Sequence, residues 1–188
     1  TGANNVVLRQ AVVGGATVIR AQNNVTLAGT LSTGADITIV ANSDGVGSES
    51  FNQSSGDINT SSTSATAVRI FVNTAAGGTG SATVRNIVTG PAGTVTIQTT
   101  GLVGTGGAIR DGNGPGLLNV TTGAPGGTLF ASASTGGINL DTQVANATLS
   151  VNSGTGTLGA INVRNTQFAL TVTSPPPTTT TNGSIATS

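Results

Sequence analysis

The chain has no cysteine, histidine, lysine, methionine, tryptophan or tyrosine. Without cysteine there is no disulfide framework, thiol nucleophile or thiolate metal site. Without histidine there is no imidazole base, no Ser-His-Asp triad and no His-bound zinc or haem. Without lysine there is neither a Schiff base nor a phosphate-loop lysine. Charge is scarce as well: 6% of the 188 residues are charged, against about 25% in an ordinary soluble domain. Six basic residues, all arginine, balance six acids to a net charge of +0. That balance, with no basic cluster, argues against a nucleic-acid surface. Aromatics are 2% of the chain, all phenylalanine, so stacking platforms for single strands are missing too. No apolar run approaches the roughly 18 residues of a membrane-spanning helix. The chain opens inside a strand-like phrase, without an initiator Met or a signal peptide, and reads as a processed product or a piece of something longer.

What is present is glycine (29 residues), Ser, Thr, Asn, Ala and Val, with 36% apolar residues arranged rather than scattered. Apolar residues alternate with period two in short bursts that end in Gly, Asn, Ser or Asp. Val25 and Leu27, Ile37 and Ile39, Val68, Ile70 and Val72, and Val95 and Ile97 are examples. Leu118 and Val120, Ile138 and Leu140, Leu149 and Val151, and Ile161 and Val163 continue the pattern. Many short strands joined by tight turns are predicted. Spacing adds a second level. Ile97, Leu118, Ile138 and Ile161 recur at nearly equal steps, and Leu129, Leu149 and Leu170 form an interleaved series with the same step. Two series with one period predict an all-β parallel β-helix (β-solenoid) with coils of about 20–23 residues and at least two strands per coil. A sandwich would need bulkier, often aromatic filler between its sheets. In a solenoid like stacks on like, which suits interior Val, Ile and Leu. It also suits Asn73, Asn119, Asn139, Asn152 and Asn162 beside the bursts, since asparagines stack in ladders.

The solenoid is expected over residues 1–174, with residues 41–66 as a polar loop or enlarged coil and residues 175–188 as a Pro/Thr-rich extended tail. Pro175, Pro176 and Pro177 cannot join a central ladder. Three motifs invite a chemical reading. GTGTLG at 154–159 has dinucleotide-loop spacing, but a strand-like phrase follows and no acid occurs after Asp141, so its glycines read as turn residues. DGNGPG at 111–116 opens like a calcium loop but has Thr122 where that loop needs Glu, and reads as a turn between coils. GGTG at 77–80 lacks the Asp of a calcium-binding β-roll. Glycoside hydrolysis requires two flanking carboxylates. Asp36 and Asp57 lie one repeat apart and are expected to stack near each other; Asp111 and Asp141 belong to other coils. No catalytic, cofactor-binding or metal-ligating site is therefore expected, and the chain is not expected to be an enzyme.

The phrases NNVTLAGTLSTGADITIVAN, TVTIQTT, ATLSVNSGTGTLGAINVRN and ALTVTS resemble the repeats of filamentous-haemagglutinin-type adhesins and related giant bacterial surface proteins. The resemblance covers most of the chain outside 41–66 and the tail. It implies a right-handed parallel β-helix, secretion, and an extracellular or cell-surface role as adhesin stalk or matrix fibre. Expected partners are copies of the chain itself stacked head-to-tail, other cell-surface or matrix components, and glycans. The alternative is a carbohydrate-binding or polysaccharide-degrading β-helix, for which Asp36, Asp57, Asp111 and Arg110 are the candidates. An ice-binding solenoid is a third, suggested by Thr94–Thr96 and Thr171–Thr173. A row of exposed aromatics would favour sugar binding, but Phe71, Phe130 and Phe168 lie in strand bursts and read as structural, leaving Phe51 in the polar segment.

Overall fold

The computed structural model describes residues 4–72, 79–99, 107–151 and 159–166, and the backbone of two further strands at 171–173 and 185–186. Every described element is a strand, so no described helix is long and apolar enough to cross a membrane. The first coil carries β1 (Val6–Leu8), β2 (Ala11–Val13) and β3 (Thr17–Arg20). The second carries β4 (Val25–Ala28), β5 (Leu31–Thr33) and β6 (Ile37–Ala41). The third carries β7 (Phe51–Ser55), β8 (Ile58–Thr60) and β9 (Val68–Val72), and the fourth β10 (Ala82–Val84), β11 (Ile87–Pro91) and β12 (Thr94–Gln98). The fifth carries β13 (Ile109–Asp111), β14 (Val120–Gly123) and β15 (Thr128–Ala133). Beyond these come β16 (Ile138–Gln143), β17 (Asn146–Val151), β18 (Ile161–Asn165), β19 (Thr171–Thr173) and β20 (Ile185–Ala186).

Each strand pairs in parallel with the corresponding strand of the next coil, so the chain is a parallel β-helix with three faces. The first face runs β1-β4-β7-β10-β13-β16, the second β2-β5-β8-β11-β14-β16 and the third β3-β6-β9-β12-β15-β17-β19. β16 belongs to two faces: Ile138 pairs with Ile109 of β13, while Thr142 and Gln143 pair with Val120 and Thr121 of β14. β18 and β20 continue from β16. Coil length is less uniform than the sequence spacing predicts. The first-face partners run Val6, Val25, Phe51, Ala82, Ile109, Ile138, Ile161 and Ile185, with the shortest step from Val6 to Val25 and the longest from Phe51 to Ala82. Among the described residues, added length lies between strands, as at 61–67 and 112–119.

Inward positions stack apolar on apolar. On the third face the ladder is Ile19, Ile39, Ile70, Ile97, Ala131 and Leu149. On the second it is Ala11, Leu31, Ile58, Ile87, Val120 and Thr142. Volume is compensated along the axis: on the first face Phe51 lies between Val25 and Ala82, so the largest interior side chain has the smallest above it. The 41–66 segment contributes β7 and β8, and its Phe51 and Ile58 are fully buried. These strands escape a reading of apolar alternation because the companion inward residue of Phe51 is Gln53, opposite Leu27 of β4.

The long-range series mixes faces. Ile97 belongs to the third face, whereas Ile138 and Ile161 pair on the first. Leu118 lies in a corner, half-buried, just before β14. Leu129 and Leu149 are in adjacent coils, but Leu129 faces Ala147 and Leu149 faces Ala131. Of the asparagines, Asn139 and Asn162 do pair in register. Asn119 is interior, while Asn73, Asn152 and Leu170 lie outside the described residues. The GTGTLG phrase through residue 158, Gly77 and Gly78, Phe168 and the 175–177 proline run also lie outside them.

Close stacking at the corners limits side chains. A Cβ on Gly29 would collide with the Arg9 carbonyl oxygen of the coil before, and Gly56 has φ of +72°, where only glycine sits without strain. The interior ladder should be the main determinant of stability. Ile70, fully buried between Ile39 and Ile97, is expected to cost about 2–5 kcal/mol when cut to Ala. Outward Thr96→Ala on the same face should change stability by less than about 0.5 kcal/mol. Urea unfolding of both variants checks the contrast.

Candidate functional site

The corners between the first and second faces are uniform through four coils and change abruptly in the fifth. In coils one to four they hold two residues each (9–10, 29–30, 56–57 and 85–86). In coil five the same corner expands to residues 112–119. The expanded corner rises beside the short ones and leaves an open groove of about 520 Å³. Its floor is Gly56, Asp57, Arg85 and Asn86, its wall Asn113, Gly116, Leu117 and Leu118, and Thr121 of β14 closes one side.

Two buried amides build this corner from inside. Gln53 is 1% exposed. Its Nε2 donates to the carbonyls of Gly56 (2.8 Å) and Asn86 (2.9 Å), and its Oε1 accepts from the Arg85 amide (3.0 Å). Asn119 is fully buried. Its Nδ2 lies 2.9 Å from Asp111 Oδ1, 2.8 Å from Asn113 Oδ1 and 3.1 Å from the Val84 carbonyl, and its Oδ1 accepts from the Asp141 amide at 2.7 Å. Asn119 thereby pairs with the next coil as a strand would, although the chain is still in its corner. A buried amide is tolerated only when its donors and acceptors are used, and here they are.

Side chains of the corner complete the wall. Asp111 Oδ1 also accepts from the backbone of Asn113 (2.9 Å) and Gly114 (3.0 Å), fastening the turn. The DGNGPG phrase is thus a turn whose leading carboxylate oxygen faces N–H donors. Arg85 Nη1 donates to the Gly112 carbonyl at 2.9 Å. Asp141 Oδ2 accepts from the Gly116 amide (2.7 Å), and the Asp141 carboxylate pairs with Arg164 through two hydrogen bonds of 3.0 and 2.7 Å. That is the one ion pair among the described residues.

The sequence candidates separate. Asp57 lines the groove, and Asp111 holds the loop above it. Arg110 is exposed on the first face, in register with Thr83. Asp36 does not stack on Asp57. Asp36 precedes β6 on the third face and lies beside Ala67, whereas Asp57 precedes β8 on the second face and lies beside Thr30. A separation of one nominal repeat fails as a guide because coils two and three differ in length. Asp57 is the single acid among the groove's lining residues. The residues that sequence reading missed are Gln53, hidden in a polar stretch, and Arg85 and Asn86, whose only signal was their place in a two-residue turn.

Asp36 has a separate role. Its carboxylate accepts from Ser62 Oγ (2.5 Å), Ser64 Oγ (2.8 Å) and Thr66 Oγ1 (2.5 Å), three alternate hydroxyls of the following corner. Hydrogen bonds from Ser62 and Thr66 foremost, then Ser64, with the nearby charge of Arg69, hold its carboxyl below the usual carboxylate range against the opposing effect of burial.

The aromatic residues also fall differently from their sequence reading. Phe51 is core. Phe130 points outward, 43% exposed, over a shallow depression of about 210 Å³ bounded by Thr96, Gln98, Ser132, Thr148 and Ser150. Phe71 is half-buried.

No family model, curated protein or solved structure matches this chain.

Two outcomes follow from these contacts. Asn119→Ala leaves the Asp141 amide without its acceptor and removes the buried Nδ2 donor that ties Asp111, Asn113 and the Val84 carbonyl together, and should lower stability by about 2–4 kcal/mol in denaturant unfolding. Asp36 should make stability depend on pH in one direction. A lowered carboxyl pKa contributes stability that is fully present above the ordinary value of 3.8 and is lost as pH falls through the folded value. The stability gap between the wild-type chain and Asp36→Asn should therefore be constant from pH 7 to about 5 and narrow below about 4. Urea titrations at each pH would show parallel curves if the three hydroxyls had no such effect.

Proposed function

We propose that the chain is a non-enzymatic, extracellular structural protein, a rod segment of a cell-surface adhesin stalk or the subunit of a self-assembling fibre. The observation that carries this reading is the continuity of the parallel ladders through successive coils, since each coil is held chiefly by its neighbours along one axis. Such a stack has no intrinsic length, and its terminal strands leave unpaired N–H and C=O groups. In coil one the inward Val6, Leu8, Ala11 and Val13 are only partly buried, while their counterparts Val25, Leu27 and Leu31 in coil two are fully buried. Its outward Val7, Val12 and Val18 are 57%, 79% and 68% exposed, where coil two presents Thr26, Ser32 and Thr38.

The low charge fits the same reading, because stacked like charges in a ladder repel. The phrase-level resemblance to filamentous-haemagglutinin-type repeats supports the surface location and the stalk or fibre role. The ice-binding alternative draws less support: outward residues of the third face run Val18, Thr38, Arg69, Thr96, Phe130 and Thr148, which is not a regular threonine array.

Negative-stain electron microscopy of the native material at moderate concentration tests the proposal. A rise of about 4.8 Å per coil makes one subunit roughly 40 Å long. Filaments with an axial repeat near that length are expected of the fibre. Discrete particles would overturn the fibre and leave the stalk, for which surface labelling of intact cells is then the deciding measurement.

A further inference from the structure

We infer that the groove beside the 112–119 corner is a binding site for a neutral saccharide, with Asp57, Arg85 and Asn86 as its polar contacts and Leu117 as its apolar one. This goes beyond the stalk or fibre reading and does not rest on it, since the groove is complete within a single chain.

The inference comes from a contrast between the two sides of the same backbone. On the inside, Gln53 and Asn119 devote their amides to the carbonyls and N–H groups of these corners, which fixes floor and wall together. On the outside, the Asp57 carboxylate, the Asn86 amide and the Thr121 hydroxyl have no hydrogen-bond partner among the described residues. Arg85 gives one donor to the Gly112 carbonyl and also lines the groove. A site whose supports are rigid and whose outward groups are uncommitted loses little entropy on binding. The volume of about 520 Å³ lies within the range of small-molecule sites.

Chemistry selects the ligand. Asp57 and Arg85 both line the groove but make no ion pair with each other. The surface thus offers acceptors and donors side by side with no net charge. A vicinal diol both donates and accepts, and meets carboxylate, amide and guanidinium edges with two hydrogen bonds at once. Leu117, 58% exposed, and Leu118 give the C–H face of a sugar ring an apolar surface. An anionic ligand would meet the Asp57 carboxylate. A calcium ion would find one carboxylate where it needs six to eight oxygens.

Isothermal titration of the full chain with cellotetraose, chitotetraose, mannotetraose and the acidic trigalacturonate provides the test. Asp57→Asn and Leu117→Ala alter groups with no structural bond, so both variants should keep the wild-type unfolding midpoint. Asn139→Ala, exposed on the first face, is the control. Saturable binding of at least one neutral oligosaccharide is expected, weakened about tenfold or more by each groove variant and unchanged by the control. Three results would overturn the proposal: no binding of any neutral oligosaccharide, binding that both groove variants leave intact, or preferential binding of trigalacturonate. The second would direct attention to Phe130 on the third face.

Discussion

Parallel pairing between coils is the constraint on which the rest of this structure depends. Every strand must present its N–H and C=O groups to strands one coil away, so the faces must keep the same cross-section along the axis. An inward residue therefore meets its own positional counterpart rather than an arbitrary neighbour. That explains the uniform Val, Ile and Leu interior and the pairing of Phe51 with Ala82 where a larger ring intrudes. It also explains the near absence of charge, because a repeated charge would face its like at about 4.8 Å.

A rigid cross-section moves all irregularity outward into the corners. Coil length changes from one turn to the next, shortest between Val6 and Val25 and longest between Phe51 and Ala82, while parallel pairing continues along each face with local register shifts at Leu27/Ala28 and Thr89/Pro91. Longer corners must be held in place, and three side chains do so: buried Gln53 and Asn119 satisfy backbone groups at the first corner, and half-buried Asp36 gathers the Ser62, Ser64 and Thr66 hydroxyls at the second. Their polarity is specific to place. Gln53 occupies an interior rung opposite Leu27, where an apolar residue would pack but would leave the Arg85 amide and the Gly56 and Asn86 carbonyls without these partners. The outward side of these corners carries Asp57, Arg85 and Asn86. The groove over Asp57 and Arg85 exists only because coil five lengthens its corner where coil four does not.

The candidate chemistry was legible only in fragments. Asp57 and Asp111 stand out in any chain with six acids, but their roles diverge once folded: one faces a groove and the other ties a turn. Arg85 and Asn86 carry no motif. Asn119 reads from the sequence as a ladder asparagine, yet its side chain is enclosed and holds the Asp141 amide. Phe130 sits in a strand burst like an interior residue and faces out, because its neighbours Leu129 and Ala131 take the two inward positions.

Composition and period-two alternation determined that this chain forms many short strands, and its lack of histidine, cysteine and lysine narrowed its chemistry. Repetition of similar bursts implied stacking. These properties are local, set by residues two apart on one strand. The register was not local. Which burst lies above which depends on corner lengths, and a corner's length becomes visible only when its ends are fixed by strands in neighbouring coils. Tertiary structure alone therefore decided that Ile97 and Ile138 lie on different faces, that Asp36 and Asp57 stay apart, and that Asp57 shares a groove with Arg85.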